Sequence, residues 1–280
     1  MIGNCKKHVI NLECAQDSVD LMSVMEDFSS GAMSNEEFID FYFNHSRKIR
    51  SRGSAIFIQD QQNYYLVTAK HVLENEKTHG IHSPIFRVRS FNELKVATKE
   101  VPSCLMNLGA GCTDSQAYTF HDTLDLAIIS LNRVQGKKFT EELFQAGYEP
   151  MNVSKIYSDN LSEASDVIAI GYPSYSQIAK LNLDQASWNW SSEFITLPIL
   201  SFGKVSMCHP EIETFLCDIS IFPGNSGGGI FFEDKLAGIV VAQPIIPIDD
   251  IEASMRIPFA YCVKAKYLIK MLELQKSKDE

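Results

Sequence analysis

From residue 53 onward, short apolar runs alternate with polar turns, which is the pattern of many short strands. Residues 54–58 and 64–68 are apolar, aromatic and β-branched. The polar run Gln59-Asp60-Gln61-Gln62-Asn63 between them reads as a turn. The same pattern predicts strands at 86–88, 94–97, 126–131, 167–170, 194–196, 214–217, 229–232, 236–241 and 259–262. A terminal helix is expected from about Lys264 to Leu274. Strands without alternating helices point to an all-β barrel or sandwich rather than a parallel sheet wrapped by helices. The stretch 132–165 is poor in strand signals and reads as a connection between two halves.

The first fifty residues read differently. Residues 19–27 form a short candidate helix, and Ser34-Asn35-Glu36-Glu37 is a capping-box pattern. That box precedes Phe38, Ile39, Phe41, Tyr42 and Phe43, an aromatic-rich helical segment, with Gly31 as a breaker between the two. Residues 1–50 are therefore expected to be a helical accessory segment. It either packs on the main domain or serves as an interaction or inhibitory element. Packing is preferred, because exposed aromatic faces are uncommon on monomers.

Composition narrows the classes. With 45% hydrophobic and 21% charged residues, the 280-residue chain matches a soluble globular protein. A formal charge of -10 argues against a nucleic-acid partner, since phosphate binding needs clustered Lys and Arg. The basic run Arg47-Lys48-Ile49-Arg50-Ser51-Arg52 is the exception and reads as a solvated linker. The seven cysteines are scattered, and no apolar leader follows Lys6-Lys7. Both features fit reduced thiols and a cytoplasmic setting without a membrane partner. Cys104, Cys112, Cys208, His209 and Cys217 contain no CxxC spacing, so no metal is expected.

The chemistry concentrates in Phe222-Pro223-Gly224-Asn225-Ser226-Gly227-Gly228-Gly229. Four glycines around one serine permit tight turns and close approach to a ligand. Such a loop can aim the N–H groups of Gly224 and Ser226 at one point, where an oxyanion would develop during attack on a carbonyl. Gly224-x-Ser226-x-Gly228 also matches the nucleophile elbow of α/β-hydrolases. Those enzymes place their histidine after the serine, whereas all seven histidines here precede Ser226. The best general base is His71, which follows the hydrophobic run Tyr64-Tyr65-Leu66-Val67-Thr68. His121 is the rival but lacks a strand behind it. For the acid, Asp125 abuts the apolar run Leu126-Ala127-Ile128-Ile129 and is preferred to Asp122, further out in the turn.

These motifs, in the order His, Asp, Ser, resemble chymotrypsin-like (trypsin-like) serine proteases. Within that family they most resemble the protease domain of the high-temperature-requirement proteases. Asp166-Val167-Ile168-Ala169-Ile170-Gly171-Tyr172-Pro173 is similar to the opening strand of their second barrel, and the run from Cys217 to Gly228 to their active-site approach. The resemblance implies two six-stranded antiparallel β-barrels, at about 51–135 and about 160–280, with a His71-Asp125-Ser226 triad between them. It implies no cofactor and a protein or peptide substrate. Val72 stands where secreted members carry a disulfide cysteine, and Asn225 where trypsin-type zymogens need an aspartate. No PDZ domain is expected. The resemblance also places the specificity pocket at Ser220, with its wall near Val240 to Gln243. None of these favours a basic or acidic P1 residue, so an apolar or small one is expected. The competing reading is a latent or inactive protease-fold binding module, with a regulatory protein partner at the N-terminal segment.

Overall fold

The β-branched and aromatic runs of the first half pair mainly with their sequence neighbours. The computed structural model describes residues 2–15, 27–37, 49–75, 80–81, 85–89, 103–107, 116–173, 177–180, 194–248 and 253–280. Its first-half strands are β1 (Val9–Ala15), β2 (Ile49–Asp60), β3 (Asn63–Thr68), β4 (Glu74–Asn75) and β5 (Gly80–Ile81). They continue with β6 (Ile85–Arg89), β7 (Ser103–Asn107), β8 (Tyr118–Phe120), β9 (Ala127–Ser130) and β10 (Met151–Asn152). Eight of them make one sheet, in the order β7-β6-β1-β2-β3-β9-β8, with β10 parallel to β2. The expected polar turn joins β2 to β3, with Asp60 opposite Asn63 and Gln61 at φ 54°.

The helical expectation for residues 1–50 is corrected at residues 9–15. This segment is a central strand, hydrogen-bonded to β2 along one edge and to β6 along the other. Val9, Ile10, Leu12 and Cys14 are fully buried, while Asn11 and Glu13 are buried beside them and interrupt the apolar signal. The capping box does form. Glu37 N–H donates to Ser34 Oγ at 3.2 Å, and Ser34 N–H donates back to Glu37 Oε2 at 2.9 Å. Residues 19–26 and 38–43, which hold most of the expected helices, and the expected strand 94–97 lie outside the described residues. Ile49–Arg52 of the basic run opens β2 rather than a linker.

The second half contains β11 (Asp166–Gly171), β12 (Gln177–Lys180), β13 (Phe194–Thr196), β14 (Ile199–Cys208) and β15 (Thr214–Asp218). After these come β16 (Gly229–Phe232), β17 (Lys235–Ala242), β18 (Ile245–Ile248), β19 (Ala253–Arg256) and β20 (Ala260–Lys264). Six strands close the expected barrel, β11-β14-β15-β20-β17-β16. Strand alternation divides its side chains. Val167, Ala169, Phe215, Cys217, Val240 and Cys262 fill the barrel interior. Ile168, Ile170, Phe231, Ile239 and Val263 face the other way and join one core with Ile56, Leu66 and Val72 of the first sheet. The two halves thus share one hydrophobic core.

Three helices matter for the site: α1 (Lys70–Leu73), α2 (Val134–Gln145) and α3 (Tyr267–Asp279). The strand-poor connection holds α2, anchored by buried Phe139 and Leu143 one turn apart. In α3, Leu268, Met271, Leu272 and Gln275 share one face and are buried. Each such apolar side chain contributes about 1.5–3 kcal/mol on burial. That face docks on the first sheet, where Gln275 Oε1 accepts from Thr119 Oγ1 at 2.7 Å and Asp279 Oδ2 from Ser130 Oγ at 2.7 Å. The helix begins later than expected because Lys264 still pairs with Gly238 in the barrel. Among the described residues, no helix is long and apolar enough to cross a membrane.

Candidate active site

His71 sits on the single turn of α1, directly after β3. Val72 and Leu73 of that turn are buried, and Ser51 Oγ donates to the Val72 carbonyl at 2.5 Å. The turn is thereby pinned to β2, and the imidazole rests on a fixed base. Asp125, in the turn ahead of β9, reaches it twice. Its Oδ2 lies 2.6 Å from His71 Nδ1, and its Oδ1 accepts the His71 backbone N–H at 2.9 Å. A carboxylate facing Nδ1 requires the proton there, which leaves Nε2 as the free, basic nitrogen.

The rival His121 has a different task. Its Nδ1 accepts the Thr123 and Leu124 N–H groups at 3.2 and 3.1 Å, and its own N–H donates to the Leu126 carbonyl. It closes the turn that carries Asp125. Asp122 is exposed, while Asp125 is half-buried.

The serine loop is built from two consecutive turns. Asn225 N–H donates to Phe222 O at 3.0 Å, with Pro223 second and Gly224 third at φ 98°. A positive φ at the third position defines a type II turn and calls for glycine. Next, Gly228 N–H donates to Asn225 O at 2.8 Å around Ser226 and Gly227, the latter at φ 83°. Gly227 N–H donates to Val240 O at 2.8 Å, and Val240 N–H to Gly228 O at 2.9 Å, which bolts the loop to β17. The N–H groups of Asn225, Gly227 and Gly228 are therefore all used. Among the described residues, those of Gly224 and Ser226 donate to no protein acceptor.

The loop meets the histidine strand by close backbone contact. A Cβ on Gly227 would lie 2.0 Å from Ser54 O and 2.2 Å from Thr68 Oγ1, so only glycine fits. Ser226 O accepts the Ser54 N–H at 2.7 Å. Ser226 is thereby held against the strand pair that leads into His71. No hydrogen bond joins Ser226 Oγ to the imidazole in this structure.

The expected pocket residues divide. Ser220 is exposed, on the stretch between β15 and the serine loop. Val240 does not present its side chain as a wall. It is 1% exposed within the barrel interior, because a strand bonded to the loop turns that side chain inward, and it meets the loop through its backbone. Gln243 is half-buried, with Nε2 donating to Ile257 O at 3.0 Å and Oε1 buried without a partner. Among the described residues, five cysteines are free thiols and no group of three or more His, Cys, Asp or Glu could hold a metal ion.

The trypsin-like peptidase domain family matches this sequence over residues 53–242. The chain belongs to the trypsin-like peptidase family. His71, Asp125 and Ser226 all fall within the matched stretch of this trypsin-like peptidase, whereas β1, β20 and α3 lie outside it. No curated protein matches the chain. Two solved structures of Rv3671c from M. tuberculosis H37Rv overlay on it at 11% identity. The first, the protease in its inactive form, gives a TM-score of 0.48 and covers 98% of this chain and 91% of that one. The second, its Ser343Ala mutant, also in an inactive form, gives 0.47, with 99% and 90% covered. Overlap of that degree carries no functional weight.

Ser54 and His121 hold parts of this candidate site together without being legible as such in the sequence. For Ser54 the available signal was a small polar residue following Gly53 at the mouth of an apolar strand.

Proposed function

We infer that this trypsin-like peptidase is a serine endopeptidase in which Ser226, His71 and Asp125 form the catalytic triad. The observation that carries the reading is the double contact of Asp125 with His71, which fixes the tautomer a general base needs. Ser226 Oγ attacks the scissile carbonyl, and its proton passes to His71 Nε2. Asp125 stabilises the imidazolium that results. The Gly224 and Ser226 N–H groups, without protein acceptors, receive the oxyanion. His71 then protonates the leaving amine, and water, deprotonated by the same imidazole, releases the acyl group from Ser226. The Oγ–imidazole hydrogen bond closes when substrate orders the cleft, as catalytic contacts commonly tighten only in the complex.

The substrate is an extended peptide segment with an apolar or small residue at P1, since Ser220 brings no charge to the pocket. The test is digestion of a peptide library by wild type and by Ser226→Ala, with products sequenced. Cleavage by wild type alone, after apolar or small residues, is expected. Equal cleavage by both proteins overturns the triad, and fastest cleavage after Lys or Arg overturns the specificity.

A further inference from the structure

We propose that Ser54 is a positioning residue that registers the nucleophile loop against the strand pair carrying His71. The proposal rests on the triad reading and adds to it the residue through which its two halves are aligned.

Ser54 lies on β2, is fully buried, and every polar atom it has is engaged. Its carbonyl accepts from Thr68 Oγ1 at 2.7 Å, three residues ahead of His71. Its N–H donates to the Ser226 carbonyl at 2.7 Å, and its hydroxyl donates to the Gly224 carbonyl at 2.9 Å. The same hydroxyl oxygen accepts the Tyr172 N–H at 2.9 Å, from the stretch just after β11 of the barrel. One residue thus contacts the base's strand pair, the serine loop and the second half of the molecule.

The two carbonyls it holds bracket the segment that matters. Gly224 and Ser226 each supply one of the N–H groups without a protein acceptor, and each has its own carbonyl fixed by Ser54. Glycines at 224 and 227 leave this segment soft, with positive φ at both. Softness of that kind must be removed by contacts from outside the loop. The backbone bond to Ser226 survives replacement of Ser54 by alanine, but the hydroxyl bond to Gly224 does not. Without it, Gly224 O and Tyr172 N–H are left buried and unpaired, and the loop shifts to find other partners. A displacement of about 1 Å between nucleophile and base costs on the order of 100-fold in rate.

The test uses a peptide cleaved by the wild type. Ser54→Ala is expected to lower kcat about 10–100-fold with KM within about 3-fold. The acid limb of the kcat–pH profile stays in place, because the His71–Asp125 contact is not touched. Ser54→Thr restores a hydroxyl and most of kcat. Ile56→Val, on the same strand and in the core, serves as the control for lost stability and keeps kcat. Should Ser54→Ala fail to fold, Ser54→Cys, with its weaker donor, replaces it under the same criteria. The proposal is overturned if the hydroxyl-free protein keeps kcat within about 2-fold, if folded Ser54→Thr is equally slow, or if Ile56→Val slows as much. A wild type that cleaves no peptide counts against the triad itself, whereas a cleaving wild type with an unaffected Ser54→Ala counts against Ser54 alone.

Discussion

Replacing Asp125 by asparagine changes one atom and should remove most of the activity. The carboxylate now accepts two hydrogen bonds, from His71 N–H at 2.9 Å and from Nδ1–H at 2.6 Å. An amide can accept only one of them. If its oxygen stays on the backbone N–H, its NH2 faces Nδ1 and drives the ring proton to Nε2, where the base is lost. Turning the amide over leaves two donors facing each other at the backbone, at a cost of about 1–3 kcal/mol. The substitution also removes the charge that steadies the imidazolium. At 2.6 Å that attraction is about 1.6 kcal/mol in a water-like medium and about 6 kcal/mol at an effective dielectric constant of about 20. With the side chains 49% and 32% exposed, a value near 3 kcal/mol is reasonable. Together the two effects come to about 5 kcal/mol, or roughly a 10³–10⁴-fold loss. The assay is the second-order rate of fluorophosphonate labelling, which needs no known substrate, with the thermal midpoint measured alongside to confirm folding. A folded Asp125→Asn protein that labels within about 10-fold of wild type refutes this account of the acid.

Two further predictions concern the scaffold. Gly227→Ala meets Ser54 O at 2.0 Å and must hold φ 83°, so neither side of the contact can give way cheaply. A loss of about 3 kcal/mol or more, seen as a thermal midpoint lower by roughly 6–12 °C, is expected together with loss of labelling. An unchanged midpoint contradicts the close approach. Burial pushes the Cys14 thiol up from an ordinary 9.0 to about 12. The folded state therefore keeps a proton that the unfolded chain begins to lose near pH 9. The stability this contributes is complete below pH 9 and disappears as pH rises toward about 12, on the order of 4 kcal/mol in all. Urea midpoints between pH 8 and pH 11 should fall less steeply in Cys14→Ala than in wild type, and parallel curves would contradict the assignment.

Local signals made the elements of the candidate site legible where chemistry and pattern coincide. Glycines flanking Ser226 announced the loop, and the apolar runs before His71 and after Asp125 announced the strands that position them. The barrel of the second half was readable for the same reason, since Ile230, Phe231 and Phe232 of β16 and Ile239, Val240 and Val241 of β17 are aromatic or β-branched runs separated by a turn. β1 was not readable, because Asn11 and Glu13 are buried in a central strand and mimic the polarity of a loop. Helix α2 was missed because Gly136 and Thr140 weaken its propensity and tertiary packing of Phe139 and Leu143 supplies the rest. Val240 shows the limit of transferring a position by resemblance. Its backbone meets the serine loop, but its side chain belongs to the barrel core. Nor could Ser54 be found by pattern, since its role comes from contacts with residues more than a hundred positions away.

Trapping the nucleophile tests the central claim most directly. The protein is incubated with a fluorophosphonate, weighed intact, and digested to locate the adduct. One adduct per chain, on Ser226, absent from both Ser226→Ala and His71→Ala, is the predicted result. Modification at another serine, or equal labelling of the His71→Ala protein, would contradict it.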